Sequence, residues 1–135
     1  PEIGIDAKII LGRLASGRVL MVGNDVSKSG KEKLPWRSKM TAFLSDDDGK
    51  TFPHKLLLDE RADVSYPSFT QAEDGYIYIA YDRGRGNKGQ HEILMAKISE
   101  DDIIAGKTVS PNSRLKAEIS SPSKYGGGVR DGDKL

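Results

Sequence analysis

The sequence predicts an all-β, antiparallel fold, and three observations carry that expectation. Apolar and polar residues alternate with period two along most of the chain, while helical periodicity is scarce. Short turn signals separate the alternating runs. The octet Ser45-Asp46-Asp47-Asp48-Gly49-Lys50-Thr51-Phe52 joins a tight turn to a strand start.

Taken in order, residues 8–14 and 18–22 alternate on either side of Ala15, Ser16 and Gly17, a hairpin pattern. Residues 24–35, rich in Lys, Ser and Gly, read as an exposed loop. A strand over 37–44 runs into the octet, and 55–58 leaves it. Within the octet, Gly49 supplies a backbone conformation closed to residues with a Cβ, and Ser45 and Asp47 can bond nearby amides. Residues 68–72 and 76–81 flank Glu73, Asp74 and Gly75, a second hairpin signal. On that second strand Tyr76, Tyr78 and Ala80 share one face, and Ile77, Ile79 and Tyr81 the other. A further strand covers 92–98. Ser99 followed by Glu100, Asp101 and Asp102 reads as an N-cap with an acidic first turn, giving one short helix over 101–105 closed by Gly106. From Lys107 onward order fades, through Ser/Pro-rich 120–123 to the flexible Gly126-Gly127-Gly128. The expected core is Ile9, Leu11, Leu20, Val22, Met40, Phe43, Leu57, Ile77, Ile79, Ile93 and Met95.

Composition removes several function classes. The 21 basic and 20 acidic residues nearly cancel, so net charge gives no affinity for nucleic acid or membrane surfaces. With no cysteine there are no disulfides, thiolate metal sites or cysteine nucleophiles. His54 and His91, the two histidines, lack paired metal-ligand spacing, and Asp46, Asp47 and Asp48 lack the twelfth-position glutamate of a calcium loop, so no metal or cofactor is expected. No apolar run approaches the roughly 20 residues that span a bilayer. The chain opens on Pro1 without a signal peptide, and is expected to be a piece of a longer protein.

About seven or eight short strands fit two architectures. A sandwich would be complete at this length, and composition alone leans that way. A propeller uses four strands and about 40–50 residues per blade, so the chain would hold about two blades. The octet matches the Asp-box, Ser-x-Asp-x-Gly-x-Thr-(Trp/Phe), through Ser45, Asp47, Gly49, Thr51 and Phe52, and this turns the expectation to a partial β-propeller. Such a pair of blades needs the remaining blades, or self-association, to cover its exposed edges.

Several stretches together resemble the sialidase (neuraminidase) superfamily, in its BNR-repeat branch. They are residues 13–20, 37–44 running into the Asp-box, 64–69, 74–82, 92–97 and 101–107. The resemblance implies the C-terminal blades of a six-bladed propeller over residues 1–107, followed by a partly flexible extension over 108–135. It implies an exo-acting, retaining glycosidase that removes terminal sialic acid from glycoconjugates, secreted or periplasmic because its substrates are found there. Sialylated or related glycans are the implied partners. An alternative within the same fold is a propeller that binds glycans or organises other domains without hydrolysis.

The resemblance also assigns roles. Sialidases hold the substrate carboxylate with three arginines and use a tyrosine nucleophile polarised by a glutamate, with an aspartate as acid/base. Arg37 occupies the place of the third arginine, on the strand before an Asp-box, and Tyr66 matches the nucleophile. Pro67 after the tyrosine, and Tyr81-Asp82 where the family has Tyr-Glu, depart from the pattern. The other catalytic groups would lie on blades outside this chain. The chemistry suits these residue types. A neutral phenol escapes the repulsion that a carboxylate nucleophile would meet from the sugar's carboxylate, and it needs a base because its free pKa is about 10. Arginine offers a planar fork that stays charged. Four further residues are candidate substrate contacts: Trp36 as a stacking surface, Arg61, and Arg83 and Arg85 on a flexible connection after a strand. All six candidates have a plainer alternative, namely core packing for Tyr66 and Trp36, a solvated strand for Arg37, a loop salt bridge for Arg61, and a solvated turn for Arg83 and Arg85. The Gly-x-Gly at 84–86 is followed by no helix and is no nucleotide fingerprint.

Overall fold

A computed structural model describes residues 8–27, 37–85 and 91–120. Among the described residues, eight strands and one helix follow one another: β1 (Ile10–Arg13), β2 (Val19–Asn24), β3 (Met40–Ser45), β4 (His54–Asp59), β5 (Val64–Gln71), β6 (Ile77–Arg83), β7 (Glu92–Ile98), α1 (Glu100–Ala105) and β8 (Arg114–Ser120). They form two four-stranded sheets in the orders β1-β2-β3-β4 and β5-β6-β7-β8. Every pairing is antiparallel between chain neighbours. The sheets pack face to face, with β1 and β2 touching β5 and β4 touching β8. This is the arrangement of two successive propeller blades.

The Asp-box turns β3 into β4 as its residue types require. Ser45 Oγ donates to Asp47 Oδ1 at 2.7 Å and accepts from the amides of Asp47 and Gly49 at 3.2 and 2.9 Å. The Asp47 carboxylate accepts from Thr51 twice, from N at 2.8 Å and from Oγ1 at 2.6 Å. Gly49 sits at φ 84°, which only glycine adopts without strain. Those bonds, the Thr51 hydroxyl first, hold the Asp47 carboxyl down at about 2.

The core lies between the two sheets. Leu20, Val22, Met40, Ala42, Leu44, Leu56 and Leu58 meet Val64, Ile77, Ile79, Tyr81, Leu94, Ala96 and Ile98, with Ile103 of α1. Three strands therefore present the face opposite to the expected one. Ile9, Leu11 and Leu57 are 42%, 55% and 43% exposed, and Ile93 and Met95 are only half-buried, while Ile10, Leu56, Leu58, Leu94 and Ala96 turn inward. Phe43 is buried outside the inter-sheet cluster, beside Met21 across the ladder. Both faces of these strands carry apolar residues, so alternation alone does not fix which one points in.

Order continues past Lys107, where the sequence pattern lets it fade. Ser99 and Asp102 form a capping box, and Gly106 ends the helix at φ 74°. The buried Asp102 carboxylate then accepts from Val109 N at 2.6 Å, Ser110 N at 2.9 Å and the Ser113 hydroxyl, which leads the chain into β8. Polar groups also join the sheets. Asn24 Nδ2 donates to Ser38 O at 3.0 Å and Val64 O at 2.8 Å, and Val64 N donates to Arg37 O at 2.9 Å. Tyr81 Oη reaches from β6 to Asp59 Oδ2 at the end of β4, at 2.8 Å.

Candidate functional site

Antiparallel topology sorts the chemistry-bearing residues to one end. The entry to β3, the exit of β4, the entry to β5 and the exit of β6 all lie there, and they carry Arg37, Arg61, Tyr66, Arg83 and Arg85. The Asp-box closes the opposite end. Backbone strain concentrates at the same end: Arg37, Lys39, Asp63 and Tyr66 adopt φ of 47°, 58°, 58° and 54°. A side chain with a Cβ pays about 1–3 kcal/mol in that region, and such strain tends to gather at functional sites.

Tyr66 is placed by a β-bulge. Ser65 pairs with Asp82 and Ser68 with Ala80, so Tyr66 and Pro67 together oppose Tyr81. Pro67 has no N–H to give to the ladder, and a bulge is where a strand tolerates that. The bulge lifts Tyr66 out of the sheet, 40% exposed, among cations. The Arg85 guanidinium stacks 4.0 Å from its ring centroid, Arg37 lies at 5.6 Å and Lys8 Nζ at 5.7 Å. Tyr66, Ser68, Ala80, Tyr81, Asp82, Arg85 and Ile93 line a shallow depression of about 210 Å³. That is smaller than the usual range of small-molecule sites, about 300–1,000 Å³.

The remaining candidates separate. Arg61 is committed to Asp59, through Nε at 2.9 Å and Nη2 at 2.7 Å. The Asp59 hydrogen bonds raise the Arg61 pKa further above its ordinary value. Burial pushes the Asp59 carboxyl up, but the bonds from Arg61 and Tyr81 outweigh it and hold it below the ordinary carboxylate value. Burial and then the bond to Asp59 push the Tyr81 phenol well above its usual range. Arg61, Asp59 and Tyr81 thus form a structural joint. Arg83 pairs with Glu92 across the β6–β7 ladder at 2.7 Å. Trp36 lies outside the described residues.

Two residues to which the sequence assigns no site role complete the neighbourhood. Asp82, 3% exposed, accepts from Ser65 Oγ at 3.0 Å on Oδ1, and from Arg85 Nε at 2.8 Å and Nη2 at 2.6 Å on Oδ2. His91 Nε2 stands 3.3 Å from that second oxygen. The Asp82 bond raises the Arg85 pKa above its ordinary value. Arg83 and Arg85 look alike in sequence, and the structure separates them by giving Arg83 to Glu92 and Arg85 to Asp82. Among the described residues no group of three or more His, Asp or Glu is placed to hold a metal ion, and no helix is long and apolar enough to cross a membrane.

Two face-to-face antiparallel blades joined to an Asp-box define an Asp-box propeller-blade protein. A family model described as a BNR repeat-like domain matches residues 4–79, more than half of the chain, and the chain belongs to that family. The match is consistent with the sialidase/BNR superfamily, and it includes Arg37, Arg61 and Tyr66 but stops before Asp82 and Arg85. No curated protein and no solved structure matches the chain.

Proposed function

We propose that the chain supplies one wall of an exo-sialidase-type site, with Tyr66 as nucleophile and Arg37 and Arg85 facing the carboxylate of a terminal sialic acid. The observation that carries this reading is an exposed tyrosine, lifted by a bulge at positive φ, with guanidinium groups 4.0 and 5.6 Å from its ring. In the proposed reaction the Tyr66 oxygen bonds the anomeric carbon as the glycosidic C–O bond breaks. Its proton passes to a carboxylate base, and the leaving oxygen takes a proton from an acid. Water then displaces the tyrosine, with net retention. Base, acid and the remaining arginines would come from further blades of a six-bladed propeller, and the enzyme would act in secreted or periplasmic space.

One observation favours a second reading, a glycan-binding propeller without hydrolysis. Asp82, where the sialidase pattern has a glutamate, is bonded to Ser65 and Arg85, and Pro67 departs from the pattern beside Tyr66. The test is release of sialic acid from a fluorogenic sialoside by the full-length protein and its Tyr66→Phe variant. Activity that collapses in the variant supports the enzyme reading. Activity that survives removes Tyr66 from the role, and an inactive but folded parent that binds sialosides moves the assignment to the second reading.

A further inference from the structure

Asp82 is nearly solvent-free, yet it sits at the rim of the site and is bonded to both things that define Tyr66. One oxygen holds Ser65, the residue at which the bulge opens. The other holds the Nε–Nη2 edge of Arg85, whose guanidinium lies on the Tyr66 ring. Without such an anchor an arginine on the connection three residues beyond Asp82 has many rotamers open to it. Stacking on an exposed ring is by itself too weak to select one of them, at about 0.5–1 kcal/mol. Two charge-assisted bonds converging on one carboxylate oxygen tether the Nε–Nη2 edge, and the Tyr66 face then sets the plane.

We infer that Asp82 is a positioning residue: it sets the Arg85 guanidinium flat on Tyr66 and thereby makes a loop arginine a fixed part of the site's cationic wall. Nη1 is left outside the Asp82 pair, on the edge turned from the carboxylate. That edge would meet an anionic sugar, a consequence that rests on the sialoside reading above. Among the described residues, two other charged groups stand near Asp82. His91 approaches the same oxygen at the start of β7, and Arg83 on its own strand is taken by Glu92. Neither lies on the Tyr66 ring.

The test observes the Arg85 Nε–Hε resonance in the ¹⁵N-labelled chain. A guanidinium stacked on a ring is displaced by the ring current, and Tyr66→Leu identifies the signal by abolishing that displacement. Asp82→Asn, and Asp82→Ser in case the first fails to fold, should both return the resonance to the position of a solvated arginine, while amides of the first sheet stay in place. Ser65→Ala and His91→Gln should leave it displaced, and Asp82→Glu should restore part of the displacement. A resonance still displaced in a folded Asp82→Asn or Asp82→Ser protein overturns the role.

Titration with sialyllactose, against lactose as the neutral control, separates this inference from the functional reading. The expected result is a shift of the Arg85 signal by sialyllactose alone, with affinity about tenfold weaker in Asp82→Asn, the scale of one charge-assisted contact. If the variants behave as expected but sialyllactose moves nothing in the wild type, the sialoside reading fails and the positioning role of Asp82 stands. Wild-type affinity in a variant that has lost the stack shows that Asp82 positions nothing the ligand uses, and overturns the inference.

Discussion

Replacing Asp59 with asparagine takes the charge out of the polar joint between the sheets while keeping its shape. The carboxylate is 0% exposed. Its Oδ1 accepts from Arg61 N and Nε, and its Oδ2 from Arg61 Nη2 and Tyr81 Oη. Whichever oxygen becomes an NH₂ then faces an Arg61 N–H. Tyr81 can reverse its hydroxyl, but a guanidinium has no acceptor to offer. Removing one partner of a buried ion pair costs about 3–5 kcal/mol. Arg61 is 31% exposed and can swing into water. That relief sets the expected loss at the lower end, about 3 kcal/mol. Tyr81→Phe leaves Oδ2 with its Arg61 bond and should cost about 1 kcal/mol. The two changes share one oxygen, so the double variant should lose less than the sum, by about 0.5 kcal/mol or more. Urea unfolding followed by circular dichroism, at unchanged m, measures all three. The Asp59 pKa is lowered by folding, so its stabilisation is present above the ordinary carboxylate value and disappears as pH falls through the folded one. The gap between wild type and Asp59→Asn should close in acid accordingly. A loss below about 1 kcal/mol, or strict additivity with Tyr81→Phe, would refute the joint.

Two further perturbations probe the scaffold. Gly12→Ala places a Cβ 2.8 Å from Phe69 Cζ, and the ring, packed against the inter-sheet core, must move aside. A loss of about 1–3 kcal/mol is expected, partly recovered by Phe69→Leu, and an unchanged melting midpoint would show that β1 and β5 are not in contact through this ring. Asp47→Asn should destabilise the Asp-box turn at neutral pH, and the difference from wild type should fade as pH falls from 3.8 toward about 2, because folding depresses this carboxyl. A difference that persists unchanged below that window would mean that shape, rather than charge, carries the turn.

What was legible in the sequence was local. The Asp-box, the hairpins at Gly17 and Gly75, and the capping box at Ser99 depend on side chains bonding amides a few residues away, and the residue types announce them. The choice of buried face was not legible on β1, β4 and β7, because Leu11 and Leu57, like Ile93 and Met95, have equally apolar neighbours. β8 was missed because Asp102 organises its approach through residues 109–113, a long-range use of a helix cap. The arginine–tyrosine wall was half legible. Arg37 and Tyr66 lie in patterned stretches, whereas Arg85 acquires its place only through Asp82, buried across the ladder from Ser65. Arg61 looked equivalent to Arg85 in sequence, and it differs because Asp59 claims both edges of its fork.

The most direct test of the central assignment is to find where a sialosyl group becomes attached. A sialosyl donor fluorinated beside the anomeric carbon and carrying a good leaving group forms a glycosyl-enzyme that water clears slowly. Peptide mass spectrometry of the full-length protein after such treatment should show one sialosyl adduct on the peptide containing Tyr66, absent from Tyr66→Phe. An adduct on another residue, or hydrolysis of sialosides with no adduct at Tyr66, would contradict the account.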